Sequence, residues 1–480
     1  MTRAAVLVLF SLLLASCNPV KIPTREMPAV PSPSSFTNDG GTIAAPKRWW
    51  RAFNDDTLNM QVDAAIADNL DLRQSWSRLA QAAAQARIVG APLLPEVNLT
   101  SSAARTRGDG SSGINYNSSW VLGFGLSWEV DLWRKIANRA EAAVLAAQAS
   151  RQDVEHTALM LSGTVTDTWF TIREQANLIA VIEDQIDISE KLLETVEYRY
   201  ANGLTDALQV FQQRQQLESV RAQLPPARSR LETSFNALFV LQGRPPEEFS
   251  DAIIEATLPG LPPLPILGSP ADLVELRPDL RAARDRLAAA DREVAAAVAN
   301  MLPTISLSLG YDFNSSSFAS PFNSGMSSIG GSLLQPLFDG DRRGAEVIRR
   351  RAIVQERLDA FSQSFLFALQ EVEDALDRER NQIDLLSEIK LQLELAARQL
   401  QAARTSYSDG VAEYLDVIAA VQTQQSLQRQ DVTAHKQLLA YRATLYRALG
   451  GSWMHQLKPP HAEALLEAQV TWPQLQEEDL

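Results

Sequence analysis

The chain has one cysteine in 480 residues, so no intrachain disulfide can form. Its four histidines, His156, His435, His455 and His461, fit no zinc-site spacing. There is no Walker motif, no GxGxxG between strand and helix, and no G-x-S-x-G. That removes the common phosphate cradles and nucleophile elbows. Glu371, Glu373 and Asp374 cluster on a helical stretch and read as a solvated face, not an acid–base pair. Positive charge is in deficit: 44 Lys and Arg against 58 Asp and Glu give a net charge of −14. Nucleic acid is therefore an unsuitable partner. Beyond the amino terminus no apolar run reaches the length of about 18 residues that marks a membrane helix. No catalytic centre, metal or soluble cofactor is expected, and the chain does not read as an enzyme.

What is present begins at the amino terminus. Arg3 precedes an almost unbroken apolar stretch from Ala4 to Ala15. It is too short to span a bilayer and has the flanks of a secretory signal. Leu14-Ala15-Ser16-Cys17 resembles a lipobox, although an ordinary signal peptide with a chance cysteine gives the same pattern. The resemblance implies a signal peptide over 1–16 and a mature chain starting at Cys17. Cys17 then carries an S-diacylglycerol and an N-palmitoyl chain, each buried CH₂ contributing about 0.8 kcal/mol. Asn18 in place of aspartate implies sorting to the outer membrane. Residues 17–45, rich in proline and serine, read as a flexible lipidated tether.

The remainder is written twice. Asp71-Leu72-Arg73 aligns with Asp279-Leu280-Arg281, and Leu94-Pro95 with Leu302-Pro303, at an offset of 208. Asp131 and Arg134 align with Asp339 and Arg342 at the same offset. Gly203 and Gly243 align with Gly410 and Gly450 at 207. This period is far too long for a solenoid. We read a first repeat over 46–244, a proline-rich linker over 245–270, a second repeat over 271–451 and an acidic tail over 452–480.

Each repeat opens with a helical stretch ending at Leu-Pro. Two strands follow, expected near Glu96–Thr106 and Trp120–Leu132, then Thr304–Asn314 and Ser327–Phe338. In "WVLGFGLSWEV", Leu122, Phe124, Leu126, Trp128 and Val130 share one face, and Gly123, Gly125, Ser127 and Glu129 the other. Such period-two alternation suits either a half-buried soluble sheet or a transmembrane β-barrel. The signal sequence and the flanking aromatics Trp120, Trp128, Trp133, Phe322 and Phe338 favour the barrel. The segments "RGDGSSGINYNSS" and "NSSSFASPFNSGMSS" read as solvated loops. Four strands leave two open edges, which hydrocarbon forbids. The chain must then oligomerise, with eight, twelve or sixteen strands all open as totals.

From Arg134 to Tyr200 there is no proline and one glycine, Gly163. A helix there is roughly 100 Å long at about 1.5 Å per residue. Its apolar seam steps by four and three through Leu161, Val165, Ile172, Ile182 and Val196, and the second copy does the same from Leu358 to Tyr407. This is coiled-coil spacing. After Gly203 and Gly410 the chain returns as helix through glutamine-rich segments.

At this level the chain resembles the TolC/OprM-type outer membrane efflux proteins, in their lipoprotein branch. The residues carrying the resemblance are Trp50, Phe53, Asp55, Leu58 and "NLDL" in the first opening, "ELRPDLRAARDRL" in the second, and "YSDGVAEYLDV" at the second turn. The resemblance implies a mainly α chain with a transmembrane β portion. It implies a homotrimer with a twelve-stranded β-barrel in the outer membrane lipid and a twelve-helix periplasmic α-barrel. The implied role is exit duct of a tripartite system with a periplasmic membrane-fusion adaptor and an inner-membrane RND-type pump. Tyr407, Leu415 and Asp416 match a periplasmic gate. Gly203, Leu204, Asp206, Gly410, Val411 and Glu413 lie in helix turns that would meet the adaptor. Ala412 and Ala419 depart from charged gate positions of relatives, and Leu208 and Gln209 replace the Leu-Asp pair in the first copy. Two other roles compete. One is a duct for type I protein secretion. The other is a periplasmic coiled coil or adaptor, which lacks such strands.

Overall fold

The structure is a computed structural model that describes residues 29–38, 40–110, 113–248, 257–317, 320, 322 and 324–459. Cys17, the signal stretch and the tail beyond 459 lie outside the described residues. The chain is mostly helical with one four-stranded sheet. Repeat one contains α1 (Asp56–Asp68), α2 (Leu70–Gly90), β1 (Glu96–Gly110) and β2 (Gly113–Val130), then α3 (Lys135–Ala201), α4 (Ala207–Arg221) and α5 (Leu224–Leu241). Repeat two contains α6 (Pro278–Ala299), β3 (Thr304–Ser315), β4 (Gly325–Leu334), α7 (Arg342–Ser408) and α8 (Tyr414–Leu449).

Local chemistry sets these boundaries. Asp55 caps α1 by accepting from the Leu58 amide at 2.9 Å, and Asn69 caps α2 by accepting from Leu72 at 2.9 Å. Each satisfies an amide that the first helical turn leaves unpaired. At α3, the Asp131 carboxylate takes the amides of Ile136 and Ala137 at 3.0 and 2.7 Å. The residues just before α3 and α7, Arg134 and Asp341, both have left-handed backbone (φ 58° and 62°). The structural partner of Arg134 is therefore Asp341, not Arg342. The offset falls from 208 to 207 between strand and helix, not further on.

The two long helices each run 67 residues. Their seam lies where the spacing placed it: Leu161, Val165, Ile172, Gln175, Ile182, Ser189 and Val196 are buried, as are Phe361, Phe365, Val372, Glu379, Leu386 and Leu400. Thr168 is only half-buried, and Tyr200 is exposed. The main core sits midway along α3. There Trp49, Trp50, Phe53, Leu58 and Trp76 pack on Val165, Trp169 and Phe170, closed by Phe235, Tyr446, Trp453 and Met454. No helix among the described residues is long and apolar enough to cross a membrane.

The sheet is antiparallel throughout, in the order β1-β2-β3-β4. Directly paired residues share a face. Leu99, Phe124, Tyr311 and Ser327 form one row, and Val97, Leu126, Leu309 and Ile329 another. The opposite face carries Asn98, Gly125, Gly310 and Ser328 in register. A side chain at Gly123 on that face would strike the Asp312 carboxylate. The apolar face is uncovered: Leu99 is 63% exposed and Ile329 84%.

Several expectations are corrected. The segment 107–119 is not a loop, because β1 and β2 continue to either side of residues 111 and 112. Arg105 stacks over Tyr116 at 4.8 Å, a diagonal cross-strand pair that suits extended backbone. β4 stops at Leu334, short of Phe338, where Gln335-Pro336 interrupts the alternation. The tether is held down from residue 29 onward. Phe36 is buried against Phe361 and Phe365, and Thr37 donates to Glu373 at 2.8 and 3.0 Å. Gly41 and Ile43 then bond Pro265 and Ile266 of the linker. The first residues of the acidic tail join the core: Trp453 and Met454 are 5% and 0% exposed.

Candidate functional site

Two regions carry the predicted chemistry: the sheet faces above, and the two helix turns at the far end of the long helices. In the first turn, Gly203 (φ 68°) lets the Leu204 amide reach the Arg199 carbonyl at 2.8 Å. In the second, Gly410 (φ 73°) lets Val411 reach Ser406 at 2.9 Å. This is the left-handed helix ending that glycine favours. Open space surrounds both glycines. Leu204 and Val411, one position after each glycine, are 64% and 83% exposed. Asp206 accepts from the Gln209 amide at 3.1 Å and caps α4. Glu413 occupies the same place before α8 without a side-chain bond.

The structure separates the gate candidates. Tyr407 faces the first hairpin. Its hydroxyl donates to Gln209 Oε1 at 2.6 Å, the Arg199 guanidinium lies 5.0 Å from its ring centre, and Tyr414 packs 5.2 Å away. Tyr414 donates to Gln213 Oε1 at 2.8 Å. Burial, with Tyr407 beside it, pushes the Tyr414 phenol well above its ordinary pKa, so it remains a donor. Leu415 and Asp416 point away from this cluster, exposed on the first turn of α8. Val196, Val210, Leu400, Val417 and Ile418 form the small apolar cluster that joins the two tips.

Above it lies a polar layer that the sequence reading passed over. Gln185 donates to the Gln425 carbonyl at 3.2 Å and to Gln428 at 2.7 Å, and it accepts from Arg429 at 2.6 Å. Gln216 donates to Gln425 and accepts from Gln422 at 3.1 and 2.6 Å. Burial lowers the Arg429 pKa. The signal was available: Gln209, Gln213 and Gln216 recur at four and three along α4, which places them on one helix face. Among the described residues no group of His, Cys, Asp and Glu is arranged to hold a metal.

Nearer the middle, each repeat fastens the linker with one buried arginine. Arg173 pairs with Asp55 at 2.5 Å and donates to the Thr257 carbonyl. Arg442 pairs with Glu379 through Nε at 2.7 Å and donates to the Pro262 carbonyl.

A sheet apolar on one face and small and polar on the other, carried on two long hairpins of helix, is the fold of outer-membrane channels. The chain belongs to the outer membrane efflux protein family, whose model matches residues 62–244 and again 270–451. It is 30% identical over 464 residues to the pyoverdine export outer membrane protein OpmQ of Pseudomonas putida, spanning 92% of this chain and 96% of OpmQ. It is 26% identical over 467 residues to the probable outer membrane lipoprotein SilC of Salmonella typhimurium, spanning 92% and 97%. The solved structure of the outer-membrane channel OprN matches with a TM-score of 0.83 at 25% identity, covering 90% of this chain and 99% of OprN.

Proposed function

We propose that this protein is the outer membrane exit duct of a tripartite efflux system. The observation that carries the reading is the uncovered apolar sheet face with no partner on the outer edges of β1 and β4 among the described residues. Hydrocarbon satisfies the first feature, and neighbouring copies satisfy the second. With four strands and four helical columns per chain, three copies close a twelve-stranded barrel over a twelve-helix tube. Cys17 carries the lipid that holds each copy at the membrane.

The turns close the periplasmic end and splay to open it. Tyr407 is a latch between the two hairpins, tied to Gln209 and Arg199. Leu415 and Asp416, exposed within each chain, line the constriction. Gly203, Leu204, Asp206, Gly410, Val411 and Glu413 meet the tips of a periplasmic adaptor that links the duct to an RND-type pump. No bond is made or broken, so the work is gating. Purified full chain in planar bilayers tests this. A conducting trimer is expected, and Asp416→Ala should raise its conductance or weaken its cation preference. A stable, non-conducting monomer would refute the reading.

A further inference from the structure

Charge is unevenly divided across the sheet. In β1 to β4 the only basic residues are Arg105 and Arg107, and the acids are Glu96, Asp109, Glu129 and Asp312. Glu96, Glu129 and Asp312 pair with Ser127, Ser306 and Gly123, on the small, polar face. Arg105, Arg107 and the fourth acid, Asp109, pair with Ser118, Tyr116 and Ile114. They continue the row of Val97, Leu99 and Ala103, on the apolar face.

Their height follows from the register. Ala103 is opposite Trp120, and the same face of β2 carries a second aromatic further out, Tyr116, opposite Arg107. Arg105 and Arg107 lie two and four residues further out. At about 3.4 Å per residue and a tilt of about 40°, they stand roughly 5 and 10 Å above Trp120. The polar headgroup layer of a bilayer occupies that height. The guanidiniums are also prepared to bind. Arg105 is spread on the Tyr116 ring at 4.8 Å and has no carboxylate partner among the described residues. Arg107 spends its Nε on Asp109 at 3.3 Å, which leaves its terminal nitrogens to a bidentate acceptor.

We propose that Arg105 and Arg107 bind the phosphate groups of the glycolipid in the outer leaflet, where two guanidiniums per chain ring the barrel at the outer aromatic rim of its apolar belt. This rests on the barrel reading given above. Phosphate is favoured over carboxylate-free sugar because planar guanidiniums grip it with paired hydrogen bonds. Each arginine near an anionic lipid surface tightens binding about fivefold.

The test is native mass spectrometry of the full chain in detergent, titrated with bisphosphorylated lipid A and with the same lipid stripped of phosphate. The wild type should bind the phosphorylated lipid at least tenfold more tightly, with the preference shrinking in high salt. Arg105→Gln with Arg107→Gln should lose about 25-fold for the phosphorylated lipid. The paired lysine substitutions should retain most of it. Equal binding of the two lipids by wild type overturns the proposal, as does a glutamine variant that binds like wild type. If the glutamine variant does not fold, the wild-type comparison decides alone. A conducting trimer without phosphate preference removes this proposal only. A monomer that retains neither lipid removes the barrel as well.

Discussion

The two repeats go out identically and come back differently. Each outgoing helix has 67 residues, starts after a left-handed residue and ends at a left-handed glycine. The return of repeat two is a single 36-residue helix, α8. The return of repeat one is broken at 222–223 into α4 and α5, with Pro225 and Pro226 in the first turn of α5. Proline is tolerated there because its missing amide would be unpaired anyway. Duplication thus preserved the spacing of the turns and released the return path. The copy free to break is the one that packs on α3. α8, which packs against α7, α3 and α4, stayed continuous.

The buried arginines give the largest way to break this comparison. Arg442→Met leaves Glu379 charged and buried, and Arg173→Met does the same to Asp55. Each is expected to cost about 3–5 kcal/mol, read as loss of unfolding free energy of the full chain in detergent. A large effect from one and none from the other would show that the linker is held by one repeat only. Next comes a proline at the α8 position matching Pro226. Thr433→Pro is expected to cost about 3 kcal/mol or more, because it removes a helix-interior hydrogen bond. A small loss would mean that α8 can break where its counterpart does.

The turns give a smaller contrast. Tyr407→Phe removes the bond to Gln209 and should cost about 1 kcal/mol, with higher single-channel conductance. Tyr200→Phe, at the matching position but half exposed, should change neither. Equal effects would remove the latch from Tyr407. The smallest effect concerns His435, whose counterpart is the exposed Arg228. Burial, only partly offset by Asp431, lowers its pKa below the usual 6.5. The unfolded chain then takes the proton first. Stability is full above pH 6.5 and falls as pH drops towards the folded value. His435→Gln should flatten that slope in thermal unfolding between pH 5 and 7.

The long helices were legible because nothing in 67 residues interrupts them and the seam repeats. The strands were legible where apolar and small residues alternate. They were lost where Arg107 and Gly108 meet Tyr116 and Asn115, because strand there is set by pairing with the opposite strand and not by an apolar face. Pro31, Pro33 and their neighbours read as tether for a similar reason. Sequence shows that such a stretch cannot fold alone, not that Phe361 and Phe365 offer Phe36 a pocket. At the turns, "YSDG" located Tyr407, but its partner Gln209 lies 198 residues away, and no local pattern joins them.

The main core grips α3 near Phe170, about thirty residues before the turn. At about 1.5 Å per residue that leaves a free arm of roughly 45 Å. Tilting such an arm by a few degrees carries its end sideways by about the width of one atom or more. A modest twist at the tryptophan-rich knot would thereby be magnified into a wider displacement at the turns.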